Sequence, residues 1–385
     1  MGALAFGGTA VATTYTHRQG KVEIADVSAL TGPAPEPSTT PDPTDPHAGR
    51  QLNILLLGSD DREGVNGQIG GDVPGKRSDT AMVVHIAADR SRIELVSIPR
   101  DSLVDIPSCT MTDGSTSREQ PDEMFNSAFA TGWDQGGDMA SAVGCTIKTV
   151  QATTGLTIDH FAVVDFGGFV GMVDAIGGVS MCIPKDISSP DAGLDITAGQ
   201  HTLDGRTALA FARARTGKGL TGSDIPRTGR QQELIAAIVR QAMSTGVLTD
   251  VPRLTGLLDA TTESLTVDPG LSSLTDMGGL AFSLRSTPRN NIVFLTIPVA
   301  TAPQNKNRLV WTSAADAVWA AMAADQPVVP AQTPPPVEPT TPTTPTEPGT
   351  TDPATDAPVP PVEPTEPPTP GVDPFTADDV TAVCG

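Results

Sequence analysis

The chain is short of positive charge. Its 24 Lys and Arg face 45 Asp and Glu, for a formal net charge of -21. That deficit argues against nucleic-acid binding, which rests on neutralising phosphates. There is no P-loop, so any phosphate chemistry must proceed without that nucleotide cradle. The four cysteines, Cys109, Cys145, Cys182 and Cys384, lie in neither a CxxC pair nor a Cys/His spacing, which disfavours a zinc site. No apolar run reaches the ~20 residues of a membrane span. The best candidate, GALAFGGTAVATTY at the N-terminus, is 14 residues long and lacks the basic flank that precedes a signal-peptide core. It is followed at once by His17, Arg18 and Lys21. It therefore reads as the outer half of a transmembrane helix whose first half is missing from this sequence. Residues 1–31 are expected to be a partial membrane anchor and stalk, and the remainder to be exported.

Export bears on the cysteines. An even count in an oxidising compartment suggests two disulfides rather than buried thiols. Three pairings are open. The preferred one joins Cys109 to Cys145 and Cys182 to Cys384, which would tie the terminal FTADDVTAVCG back to the domain. Two stretches hold too few large apolar residues to offset the entropy of ordering, and are expected to be extended and disordered. One is the Pro-rich linker 32–50 and the other the Pro/Thr/Glu-rich segment 327–373. After Gln326 the chain has nine acidic residues and no Lys or Arg, so much of the negative charge lies outside the fold. What remains is one domain, 51–326, and a C-terminal segment, 374–385.

Within that domain, LNILLLG (52–58), TAMVVHIA (80–87), RIELVSIP (92–99), IDHFAVVD (158–165), VSMCIP (179–184) and NNIVFLTIP (290–298) have strand length. Their near-continuous apolar character predicts burial on both faces. Helical spacing appears over 137–154, where Met139, Val143, Ile147 and Val150 share a face and Gly155 can end the helix. Further helices are expected over 166–176, 226–243, 249–264, 270–285 and 311–325. Strands interleaved with helices predict an α/β fold, a three-layer α-β-α sandwich.

Four segments concentrate Asp and Arg at strand ends, where open α/β sheets place ligands. GSDDREG supplies Asp60, Asp61 and Arg62; KRSDT supplies Lys76, Arg77 and Asp79; IPRD supplies Arg100 and Asp101. ARAR with SDIPRTGRQQ adds Arg213, Arg215, Asp224, Arg227, Arg230 and Gln231. Arginine grips phosphate oxygens bidentately, and carboxylates converging near a phosphate site can hold Mg²⁺ with substrate oxygens. Arg227, Arg230 and Gln231 fall on one face of a helix, with Pro226 suited to its first position and Asp224 near its cap. Arg213 and Arg215, if extended, point to one side.

In order and spacing, LNILLLGSDDR, KRSDTAMVVHI, IELVSIPRDSL, FNSAFATGW, IDHFAVVDFGGFVGMVDAIGGVSM, ITAGQHTLDGRTALAFARAR and SDIPRTGRQQELI resemble the LytR-CpsA-Psr family over about residues 51–245. The Cys384-containing end resembles actinobacterial members. The resemblance implies a sandwich with a mixed central sheet, anchored in the membrane of a Gram-positive envelope and facing outward. It implies a phosphotransferase that moves a glycopolymer from a polyprenyl-pyrophosphate carrier to peptidoglycan, with Mg²⁺ (or Mn²⁺) as cofactor. Asp60 and Asp79 then match the metal carboxylates, with Asp61 and Asp72 as alternates. Arg62, Arg77, Arg100, Arg213, Arg215, Arg227, Arg230 and Gln231 match the pyrophosphate set, with Arg100, Arg213 and Arg215 also counted as catalytic. Asp101 or Asp224 would be the base. The Phe161–Phe169 and Ile235–Val239 stretches are read as core, with a lipid groove as the other reading. Rival functions are hydrolysis of the same pyrophosphate and non-catalytic binding of envelope polymer or lipid.

Overall fold

A computed structural model describes residues 22–32, 47–60, 76–244, 265–329 and 367–379, together with Gly246, Asp250, Leu257 and Cys384. Arg62, Asp61 and Asp72 lie outside the described residues, as does nearly all of the helix expected over 249–264. The main strands are β1 (Glu23–Ile24), β2 (Leu52–Ser59), β3 (Ser78–Ile86), β4 (Ile93–Ser97), β7 (His160–Val164), β12 (Leu265–Val267), β13 (Ile292–Thr296) and β16 (Phe375–Thr376). They form one sheet in the order β1-β12-β7-β2-β3-β4-β13-β16. The sheet is mixed: β2 runs parallel to β7 and antiparallel to β3, and β4 runs parallel to β13.

Alternation along these strands builds the layers. Leu55 and Leu57 of β2, Val83 of β3 and Val96 of β4 face one side with Phe129, Val143, Ile147 and Trp319. Those come from the helices α2 (Ser127–Gly136), α3 (Met139–Thr154) and α8 (Ser313–Ala323). On the other face Leu95 and Phe294 meet Ala236 of α6 (Asp224–Ser244), while Leu52 and Ile86 meet Leu280 of α7 (Leu274–Ser283). A side chain buried on each face at successive positions explains why these runs read as unbroken apolar segments. The three-layer α-β-α sandwich is therefore present.

A second cluster lies beside the sandwich. Here α4 (Phe166–Ala175) and α5 (Gly205–Arg213) pack on the hairpin of β8 (Val179–Ile183) and β11 (Gly199–Leu203), and on the pair β9 (Ile187–Ser189) and β10 (Leu194–Ile196). VSMCIP is a strand, but of this hairpin and not of the main sheet. Two further antiparallel pairs, β5 (Leu103–Ile106) with β6 (Gln120–Met124) and β14 (Val299–Ala302) with β15 (Asn305–Trp311), follow main-sheet strands.

The segment boundaries differ from the expected ones at both ends of the domain. Residues 22–31, expected as stalk, contribute β1 and the short α1 (Ser28–Thr31), whose Leu30 sits against Gly144 of α3. His47 and Arg50, expected within the linker, are tied down: Arg90 donates to the carbonyl of His47, and Arg50 pairs with Asp159 at 2.9 Å. Described structure resumes at 367 rather than 374, because a turn there docks on α6 before β16 begins. The structure joins Cys109 to Cys145 and Cys182 to Cys384.

Candidate active site

The β2–β3 register carries a bulge. Gly58 faces Thr80 and Ser59 faces Ser78, so Asp79 is the extra residue. A bulge re-aims its side chain, and Asp79 turns to Arg100, whose Nη1 donates to Oδ1 at 2.7 Å. Arg100 follows β4, and its Nε lies 3.7 Å from Asp101 and 3.8 Å from Asp224. One guanidinium thus touches three carboxylates. Arg227, one turn into α6, pairs with Asp224 and reaches Asp79 Oδ2 at 4.0 Å. Arg215 donates its Nε to the Gly222 carbonyl at 2.9 Å and pairs with Asp101 at 3.4 Å.

Two members of this centre were not among the expected site residues. Arg308 of β15 lies 3.9 Å from Asp101 Oδ1, held there because Leu309 donates its N–H to the Asp101 carbonyl at 3.1 Å. Asn126, buried just before α2, hydrogen-bonds the Asp79 side chain and donates its backbone N–H to the Arg100 carbonyl. Short exposed hairpins and single amides follow no apolar period, so pattern reading passes over them.

The other expected residues stand elsewhere. Arg213 is the last residue of α5, so it and Arg215 are not neighbours on an extended strand. Its guanidinium stacks over the Phe166 ring at 4.5 Å. Arg230 donates to the Ala214 carbonyl and Gln231 to that of Ala212 at 3.3 Å. Both therefore brace the turn between Arg213 and Arg215. Arg77 is exposed, and its carbonyl accepts from the Asp60 N–H at 2.9 Å. Helix α6 begins at Asp224, two residues before the expected start, so Pro226 is not its first residue. Asp224 takes that place, where a carboxylate meets the positive end of the helix dipole. Phe161 is fully in the core, while Ile235 and Val239 are half-buried against the cluster that holds Phe375, and Phe169 is half-buried beside the second cluster. Gly217, Gly219 and Gly222 carry a G-x-G-x-x-G spacing, but outside the strand-turn-helix setting that gives it meaning. A Cβ at Gly217 or Gly219 would meet the carbonyls of Ser188 or Asp186 at 2.0 and 2.3 Å.

Burial works to raise the proton affinity of Asp79, but Arg100, Arg227 and the hydrogen bond from Asn126 outweigh it and hold the carboxyl below its ordinary range. Asp101 goes the other way: burial and the neighbouring Asp224 raise it against Arg100, Arg308 and Arg227. Arg230 is pushed down to about 10 by burial and by Arg227. Four guanidinium groups (Arg100, Arg215, Arg227 and Arg308) thus surround three carboxylates (Asp79, Asp101 and Asp224). The centre is cationic, which suits a multiply charged anion. Asp224 Oδ2 and the Nε atoms of Arg100, Arg227 and Arg230 are buried without a hydrogen-bond partner.

Asp60 directly follows β2 and Asp79 is the second residue of β3, at the same end of this strand pair. Among the described residues no group of three or more His, Cys, Asp or Glu could hold a metal ion. Mg²⁺ needs only one or two carboxylates when substrate phosphates complete its shell, so oxygen donors of this kind suit Mg²⁺ or Mn²⁺ rather than a closed zinc site.

The LytR_cpsA_psr family model matches residues 7–324. Cell wall biosynthesis protein LcpA of Corynebacterium glutamicum is 33% identical over 266 residues, covering 65% of this chain and 50% of its own length. Probable cell wall biosynthesis protein LcpB of the same organism is 34% identical over 279 residues, covering 70% and 60%. A polyisoprenyl-teichoic acid–peptidoglycan teichoic acid transferase, TagU of Oceanobacillus iheyensis, is 30% identical over 247 residues, covering 64% and 66%. The chain thus spans about half the length of LcpA and somewhat more of LcpB. Among solved structures, the LytR-Csp2A-Psr enzyme from Actinomyces oris shares the fold at TM-score 0.52 and 19% identity, covering 78% of this chain and 96% of that one. TagT bound to LI-WTA does so at TM-score 0.54 and 21% identity, covering 79% and 99%. The matched span takes in every strand of the main sheet but β16 and every described residue of the Asp/Arg centre, and the chain belongs to the LytR-CpsA-Psr family.

Proposed function

We propose that this chain is a phosphotransferase that moves a glycopolymer phosphate from a polyprenyl-pyrophosphate carrier to a peptidoglycan hydroxyl, releasing polyprenyl phosphate. The observation that carries this reading is the cationic centre itself, in which Arg100 is shared by Asp79, Asp101 and Asp224 while Arg215, Arg227 and Arg308 close around it. The names of LcpA and TagU point the same way.

Phosphoryl transfer asks for charge neutralisation and in-line placement more than for covalent help. Arg100, Arg215 and Arg227 would grip the diphosphate oxygens. The acceptor hydroxyl oxygen attacks the sugar-bearing phosphorus, the bond to the bridging oxygen breaks, and polyprenyl phosphate leaves with that electron pair. Asp101, whose proton affinity is raised, takes the hydroxyl proton. Arg230 and Gln231 keep the Arg213–Arg215 turn in place from behind. Mg²⁺ or Mn²⁺ at Asp60 and Asp79 would supply further neutralisation of the diphosphate. The N-terminal apolar run would hold the domain at the outer face of a membrane; among the described residues no helix is long and apolar enough to cross one.

The test is product analysis with a polyprenyl-pyrophosphate-linked glycan and peptidoglycan strands. Transfer yields a glycan–phosphate–peptidoglycan phosphodiester that is lost in an R215A/R227A double variant. Formation of free glycan phosphate alone, with acceptor present, would establish a hydrolase instead.

A further inference from the structure

An open cavity of about 600 Å³ is lined by Thr116, Arg118, Gln120, Ser127, Thr131 and Gln135, with Ala130 and Asp134. It begins one residue from Asn126, which touches both Asp79 and the backbone of Arg100. One wall is a face of α2: Ser127, Thr131, Asp134 and Gln135 stand at helical intervals of four, three and one, so they line one side. The opposite side of α2 buries Ala128, Phe129 and Gly132. A Cβ at Gly132 would lie 2.2 Å from the Ser141 carbonyl, so the helix cannot turn that face away. The other wall, 116–120, is fixed as well. Ser117 exchanges hydrogen bonds with the backbone of Cys109 at 2.8 and 2.9 Å, and Cys109 is bonded to Cys145 of α3. Gln120 Nε2 spans the walls to Thr131 Oγ1 at 3.0 Å.

The lining chemistry narrows the ligand. Hydroxyls, carboxamides, one guanidinium and one carboxylate offer donors and acceptors together, and Ala130 is the only apolar side chain among the lining residues. An acyl or prenyl chain would strand those groups without partners, at a cost for each. A folded anion site would show more than one arginine. Sugar hydroxyls and acetamido groups, which both donate and accept, match the set. The volume falls within the range of small-ligand sites.

We propose that this groove is a glycan-binding subsite that seats the sugar chain adjoining the reacting phosphate. This rests on the transferase reading, and deepens it by giving the sugar a place. Two chains could supply the sugar, the acceptor strand and the glycan of the donor, and they are separable by experiment.

Thr131→Trp and Gln135→Trp fill the groove from exposed or half-buried helix positions without touching an Asp or Arg of the centre. Binding of a peptidoglycan tetrasaccharide (alternating N-acetylglucosamine and N-acetylmuramic acid) is measured by NMR titration, which requires no turnover. In parallel, KM is measured for the tetrasaccharide and for two donors, one carrying a single sugar and one a longer glycan. An acceptor subsite predicts that both variants weaken tetrasaccharide binding and raise its KM by about tenfold or more, with kcat at saturation retained. A donor subsite predicts that KM rises only for the longer donor. Circular dichroism and melting temperature confirm that each variant is folded, and Arg118→Ala gives an independent, smaller perturbation of the opposite wall. If tetrasaccharide titration and both donor KM values match wild type in all three variants, the groove is not a glycan subsite. That result would leave the transferase reading standing, because product formation is read in the same assays. Absence of product from the wild-type protein, with tetrasaccharide binding intact, would instead count against the transferase reading alone.

Discussion

Arg100 joins three carboxylates that would otherwise repel one another, and the two beside each other, Asp101 and Asp224, bear the consequence. Burial and Asp224 raise the proton affinity of Asp101, so it protonates at a higher pH than an ordinary carboxylate as the solution is acidified. If Asp101 is the base, transfer falls with decreasing pH, starting above the usual carboxylate range. D101N should lose about 10²–10⁴-fold in kcat and abolish that acid limb of the pH–rate profile. A D101N enzyme that keeps the limb would move the role to Asp224. Asp79 behaves oppositely. Its folded-state pKa is depressed despite burial, so the stabilisation from its arginine pairs is present above the unfolded carboxylate value and is lost as pH falls through the folded one. At this scale the motifs located most of the centre: Asp79, Arg100, Asp101, Arg215, Asp224 and Arg227 stand together, whereas Arg77, Arg213, Arg230 and Gln231 come from the same motifs and stand outside it. Arg308 lies outside every motif and reaches the centre by tertiary packing alone; Asn126, though inside FNSAFATGW, is a single amide whose contact with Asp79 only the fold shows. R308A tests the former. It should lower transfer while leaving the melting temperature near that of wild type, since an ion pair at 3.9 Å with a partly exposed side chain contributes little to stability.

At the scale of elements, the strands were legible because burial on both faces leaves unbroken apolar runs, as in LNILLLG and RIELVSIP. The hairpins were not. β5–β6 and β14–β15 carry exposed polar residues such as Asp122, Glu123, Lys306 and Asn307, and nothing in them repeats with a strand period. The least expected element is the C-terminal turn. Gly371 donates its N–H to Gln232 Oε1 at 3.1 Å, and the other end of that amide reaches Ser97 and Thr296 on the main sheet. The turn thus presses on α6 between Arg227 and Arg230. A Cβ at Gly229 would lie 2.2 Å from the Pro370 carbonyl, a backbone atom that cannot rotate away. Gly229→Ala should therefore destabilise the fold by about 1–3 kcal/mol through overpacking, read from the urea midpoint. It should also raise KM for the polyprenyl pyrophosphate, because the same helix carries Arg227. Unchanged stability would mean that the turn yields readily and does not brace the helix.

Over the whole molecule, the far end of the chain completes the sheet that its beginning starts. β16 pairs with β13, Phe375 stacks on Phe294 at 5.1 Å between ring centres, Arg240 donates to the Ala377 carbonyl at 3.0 Å, and Arg289 pairs with Asp378 at 2.9 Å. The Cys182–Cys384 bond then ties this edge to β8 of the second cluster, across a sequence separation of 202. The compartment argument gave two disulfides but left three pairings open, and it gave no hint that the terminus would be a strand of the sheet; two residues of strand are too short to read from sequence. Closing so long a loop removes much of the freedom of the unfolded chain, so Cys384→Ser should cost about 2–5 kcal/mol in urea unfolding under non-oxidising transfer into buffer without reductant. The second cluster leads into Arg215, while Arg100 and Arg227 sit on the main sheet and its helix, so the same bond fastens together the two halves of the Asp/Arg centre. Activity of C384S should then fall off at a lower temperature than that of wild type, in step with its unfolding. A variant with wild-type stability and temperature profile would show that the strand pairing and the Phe375 stack hold the edge without the bond.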